Sequence, residues 1–177
     1  MGLGKWLDKN VGDRLREWQG TRRCDTFEKL CAYMRGKGLV DLEFWVEARM
    51  WYVADRAPAD EWTPIEQVLA RDVRGNEIQT DCEERCVVKK NVVNKLNWGF
   101  ADNLCVYGPS PVDGKETGHA ICVVWQTGKI SVMDYELTEF PSTTAVCDII
   151  KKCWPWATEW CFRNDQGELT SGGMQKI

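Results

Sequence analysis

The chain has 177 residues, 44% of them apolar, with ten tryptophans and a formal net charge of -4. That length supports one compact domain with a real core and is short for two, and the composition is that of a folded chain. The negative balance argues against nucleic acid, and the longest uninterrupted apolar run, Ala120–Trp125, is six residues, far below the roughly twenty that span a membrane.

Residues 4–37 read as amphipathic helix, interrupted at Gly20 and Gly36. The chain begins with neither the basic n-region nor the apolar h-region of a secretory signal. Its nine cysteines are odd in number, include no C-x2-C pair and accompany a single histidine. A reduced, cytoplasmic protein with mostly buried thiols is therefore expected, not a disulfide scaffold.

Residues 41–55 form the clearest early helix, with Asp41 as N-cap, an apolar side of Phe44, Trp45, Met50, Trp51 and Val53, and a stop at Ala57-Pro58. Residues 63–70 follow the capping-box pattern, with Thr63 as N-cap, Pro64 first and Glu66 third. A polar loop, 71–79, leads into Asp81-Cys82. A second helix is predicted from Cys82 to Asn97, ended by Gly99 in left-handed conformation. At about 100° per residue, Cys82, Cys86, Lys89, Val92, Val93 and Leu96 share one inward arc. Lys89 is the odd member, and its long side chain is expected to reach solvent or a carboxylate.

The second half changes period. Leu104–Tyr107, Gly118–Trp125, Lys129–Asp134 and Thr158–Arg163 are short runs rich in Val, Ile, Cys and aromatics. Gly108–Glu116, with two prolines and two glycines, reads as a mobile flap. The fold class expected is α+β, with N-terminal helices packed on an antiparallel sheet. One domain covers 1–177, divided into a helical N-terminal extension (1–40) and a core (41–170).

A nucleophilic cysteine needs a stabilised thiolate, a base in reach and a group that orients the base. Cys82 opens a helix, whose free N–H groups favour a thiolate and can stabilise an oxyanion. His119 is the only imidazole. A two-residue turn flanked by Trp125/Gly128 or Gln126/Lys129 makes paired residues sum to 253 or 255, and either register puts His119 and Asp134 on one sheet face. Asp134 is then placed to hold the imidazole tautomer. Asn76 and Gln79 are candidates for a second oxyanion donor. Each residue also has a plain structural reading: Cys82 and Cys86 as core filling, His119 as a satisfied core residue, Asp134 as a strand end.

Thr-Asp-Cys-Glu-Glu before a helix with Lys89, then Gly-His-Ala-Ile-Cys-Val-Val-Trp, then Val-Met-Asp-Tyr, resembles the bacterial transglutaminase-like cysteine proteinases of the papain-like/transglutaminase superfamily, which include phage-encoded members. The resemblance runs upstream through Asp60–Glu66 and covers roughly residues 45–137. It implies a papain-like core, Cys82 as nucleophile, His119 as general base and Asp134 as orienting acid. The function implied is cysteine-dependent acyl transfer or amide hydrolysis through a thioester, as in a protease or deamidase, on a protein or peptide substrate. No cofactor is required, although some members hold calcium through carboxylates matching Asp81 and Glu83. Those residues read equally as a helix cap, Asp81 with Glu84 or Thr80 with Glu83. The sequence departs from the family pattern in its longer approach to the cysteine, RDVRGNEIQTDC, in Cys122, and in Tyr135 where asparagine is usual. Two rivals remain: a non-catalytic interaction module that keeps the fold and binds a partner protein through Trp154, Trp156 and Trp160, and a metal site of Cys82, Cys86 and His119.

Overall fold

A computed structural model describes residues 22–53, 62–72, 78–170 and 172–177. The helix read at 4–21, the stop at Ala57-Pro58 and Asn76 lie outside these residues. The described chain runs α1 (Phe27–Met34), α2 (Leu39–Arg49), β1 (Met50–Tyr52), α3 (Ile65–Leu69), β2 (Ile78–Thr80), α4 (Cys82–Lys95), β3 (Phe100–Pro109), β4 (Glu116–Gln126), β5 (Lys129–Asp134), β6 (Glu136–Pro141), α5 (Val146–Cys153), β7 (Glu159–Arg163) and β8 (Gln175–Lys176). The protein is α+β: helices first, then a six-stranded antiparallel sheet in the order β6-β5-β4-β3-β7-β8.

Helix α4 is buried on most of its circumference, through Cys82, Glu84, Arg85, Cys86, Val87, Val88, Lys89, Val92 and Val93. One face of the sheet, with Ala101, Cys105, Ala120, Cys122 and Val124, packs into a single core with α1 to α4. The other face, with Leu104, Val106, Ile121, Val123 and Val132, is covered by Ile149 and Ile150 of α5 and by Trp154. Alternation along β4 thus sends successive side chains to two different cores, as a central strand requires. Helix α1 gives Leu30, Cys31 and Met34 to the first core, so this part of the segment read as an extension belongs to the body of the domain.

Several boundaries move. The helix read at 41–55 starts at Leu39 and ends at Arg49, and Asp41 is its third residue, with its carboxylate accepting from Gly38 N–H at 2.9 Å. Met50–Tyr52 leaves the helix to pair in parallel with Ile78–Thr80. Pro64, not Thr63, is the N-cap of α3. The left-handed residue after α4 is Asn97 (φ 55°), not Gly99. Gly99 is small for another reason: a Cβ there would sit 2.6 Å from the Trp125 carbonyl. The expected flap is a six-residue hairpin turn, 110–115, between Gly108 and Pro109 at the end of β3 and Glu116 at the start of β4. Its turn is closed by hydrogen bonds from Ser110 N–H to Lys115 O and from Gly114 N–H to Ser110 O. No described helix is long and apolar enough to cross a membrane.

Candidate active site

Helix α4 delivers Cys82 as its first residue. Asp81 is the N-cap, its carboxylate accepting from Glu84 N–H at 2.8 Å. Glu84 in turn pairs with Arg71 at 2.9 Å. The capping alternative with Thr80 is not used, since the Thr80 hydroxyl faces the Trp51 carbonyl. Strand β2, pinned beside β1, fixes where this helix begins; Gln79 lies on its exposed side.

The sheet supplies the imidazole and its acid. Gln126 pairs with Lys129 across Thr127-Gly128, with Gly128 at φ 81°, so opposed residues sum to 255. The β4–β5 ladder stops at the Cys122–Met133 pair. Beyond that point β5 no longer flanks His119, and Asp134 approaches it diagonally on the same face. His119 Nε2 lies 2.8 Å from Asp134 Oδ1. With Nε2 engaged there, Nδ1 is the ring nitrogen left for other chemistry. Cys82, His119, Asp134, Ala120, Met133 and Tyr135 line one small cleft.

Four further residues hold this arrangement, none of which was singled out for the role from sequence. Trp154 Nε1 donates to Asp134 Oδ2 at 3.1 Å, so both carboxylate oxygens are occupied. Tyr135 adopts φ 57° and lays its ring parallel to the His119 ring, 6.1 Å between centroids and 4° between planes. Such a conformation is uncommon for a bulky residue. Asparagine, which the resemblance leads one to expect at 135, tolerates it better. Arg85 sits over the outer Tyr135 ring at 5.3 Å while bonding Glu47 and the Met50 carbonyl. Lys89 is buried, donating to Glu43 at 2.7 Å and to the Met133 carbonyl at 3.2 Å. The carboxylate expected to meet it is thus Glu43, and the contact fixes the backbone one residue before Asp134. Trp154's role rests on a contact spanning twenty residues, which no local pattern signals.

The nucleophile position is not electrostatically primed. Cys82 is 8% exposed, and its thiol donates to Glu83 Oε2 at 3.1 Å. Burial, then the Glu83 carboxylate, push the thiol well above its ordinary value, and the Ala120 N–H beside the sulfur offsets only part of this. Replacing Glu83 with glutamine removes the largest charge opposing ionisation. Cys82 in Glu83→Gln should alkylate faster at neutral pH than in the native chain, and iodoacetamide labelling followed by peptide mass spectrometry reads this directly; an unchanged rate would show that burial alone sets the thiol.

Asp81 and Glu83 are each engaged, one with the helix end and one with the thiol. Among the described residues no group of three or more Cys, His, Asp or Glu side chains is gathered to hold a metal ion, Cys82, Cys86 and His119 included. No protein-family model matches the chain, and no curated protein matches it. The likeness to transglutaminase-like proteinases therefore rests on the motifs quoted above and on the placement of these side chains.

Proposed function

We propose that the chain is a cysteine-dependent acyl-transfer enzyme acting on amide bonds of a protein or peptide, with Cys82 as nucleophile, His119 as base and Asp134 as the group that orients it. The observation that carries this reading is the 2.8 Å His119–Asp134 contact in a cleft that also admits Cys82 at a helix start. Because the resting thiol is protonated, His119 takes its proton as the sulfur attacks the carbonyl carbon. The oxyanion forms at the amino end of α4, where the Cys82 N–H is available. The protonated imidazole then gives its proton to the leaving amine, and a thioester remains for water or an amine to open. Exposed Tyr135, which lines the cleft, and Tyr52, which packs edge-on against it, suit an extended peptide with apolar side chains. Nine cysteines, none in a disulfide, suit work in a reducing compartment such as the cytoplasm.

A second reading is favoured by the buried thiol bonded to Glu83: a peptide-binding module that keeps the fold without turnover. A peptide vinyl sulfone separates the two. The enzyme reading expects one adduct, on Cys82, that is lost in His119→Ala. Labelling of the half-buried Cys147 and Cys153 instead, or Cys82 labelling indifferent to His119, assigns the module.

A further inference from the structure

The first core contains a line of thiols that the proposed reaction does not use. Cys86 neighbours Cys82 and Cys122, and Cys105 neighbours both Cys86 and Cys161. Within this line one pair stands apart. Cys105 on β3 and Cys161 on β7 are directly opposed in antiparallel register, and each thiol is the largest influence on the ionisation of the other. Opposed residues in such a pair hold their Cβ atoms about 4.5–5.5 Å apart, close to the roughly 3.5–4.5 Å a disulfide takes. Closure therefore asks only a small adjustment between two strands already joined by their ladder.

We infer that Cys105 and Cys161 form a reversible dithiol switch that closes to a disulfide between β3 and β7 when hydrogen peroxide reaches Cys161. The surroundings distinguish the two sulfurs. Cys161, burial and Cys86 together raise the Cys105 thiol far above its ordinary value, so Cys105 keeps its proton. The neighbouring Cys105 thiol, the positive charge of Arg163 and the Tyr107 hydroxyl all favour the Cys161 thiolate and lower its thiol despite burial. Arg163 Nε donates to the Tyr107 hydroxyl at 2.9 Å, so the two activating side chains are themselves locked together. Cys161 is 1% exposed, which restricts the oxidant to a small, uncharged molecule.

The reaction balances without a metal or cofactor. The Cys161 thiolate attacks one peroxide oxygen, the O–O bond breaks, and hydroxide leaves and is protonated to water. Cys161 is now a sulfenic acid. The Cys105 sulfur attacks it, the S–S bond forms, the S–O bond breaks, and the departing hydroxide takes the Cys105 proton as a second water. Two thiols lose two electrons and the peroxide gains them. Thiol reductants reverse the change.

The test uses the full native chain, so it does not depend on a variant folding. The protein is treated with hydrogen peroxide at neutral pH, free thiols are blocked, and peptides are mapped without reduction. The expected product is a linked Cys105–Cys161 peptide pair, two hydrogens lighter than its parts and separated by dithiothreitol. In Cys105→Ser, dimedone should trap Cys161 as its sulfenic acid, and in Arg163→Gln the native link should form several-fold more slowly. A link that joins other cysteines overturns the assignment. So does a native chain in which Cys161 is oxidised no faster than the more accessible Cys147 and Cys153.

Discussion

Asp134→Asn is expected to slow acylation of Cys82 by an activated ester by about 10²- to 10⁴-fold, the range that general-base catalysis supplies. The reason lies in Trp154. Its indole N–H points at Asp134 Oδ2, while His119 Nε2 meets Oδ1. A carboxylate accepts from both. A carboxamide has one oxygen and one NH2 group, and the indole, which can only donate, claims the oxygen. The NH2 group then faces His119 and forces Nε2 to accept, which moves the ring proton to Nδ1 and removes the base. Removing the indole donor frees the amide to flip. Trp154→Phe should therefore restore part of the rate in the Asp134→Asn background, although alone it does not raise the native rate. Burst-phase kinetics of the single and double variants check this; no recovery in the double variant would mean that Trp154 does not set the orientation.

Lys89→Met is expected to cost about 3–5 kcal/mol of stability, the range for breaking a buried ion pair from one side. Lys89 Nζ and Glu43 Oε1 meet at 2.7 Å with side chains only 3% and 6% exposed, and Glu43 Oε2 has no hydrogen-bond partner among the described residues. Burial raises the Glu43 carboxyl and Lys89 is the main influence opposing it, so losing the lysine raises it further. A carboxyl raised in the folded state binds protons more readily there than in the unfolded chain. The penalty is thus complete well above the folded value, shrinks as pH falls through it, and vanishes below the unfolded value of about 4.3. Urea titration at pH 7 and pH 4 should show the deficit of the variant narrowing in acid. Pairing the change with Glu43→Leu should recover most of it at neutral pH, since an apolar pair of similar size replaces the buried charges.

Much of the site was legible because it is local. Lys129–Asp134 is a strand with the boundaries read from its residues, and the two-residue turn after Gln126 gives the register that brings Asp134 to His119. The start of α4 at Cys82 follows from Asp81, whose side chain serves as a cap by ordinary rules. What escaped was decided at a distance. Met50–Tyr52 continues an apolar helical pattern, and only pairing with Ile78–Thr80 makes it a strand. Strand β6 lacks a clean alternation, and α5, without a side-chain cap, is signalled only by the helical spacing of Val146, Ile149, Ile150 and Cys153. That the Glu83 side chain bonds the Cys82 sulfur is a matter of rotamer, which sequence does not encode.

The two halves of the cleft differ in how far the chain must travel to assemble them. His119 and Asp134 are fifteen residues apart across one tight turn, and hairpins of this kind close on a microsecond scale. Cys82 joins them only when α4 docks against β3 and β4, a contact that closes longer loops and is slower to form. A chain part-way through folding therefore pairs His119 with Asp134 before Cys82 is beside them. Under the proposed mechanism, exposed segments of unfinished chains escape the reaction until the helix is seated, so the order of assembly itself would delay the onset of chemistry.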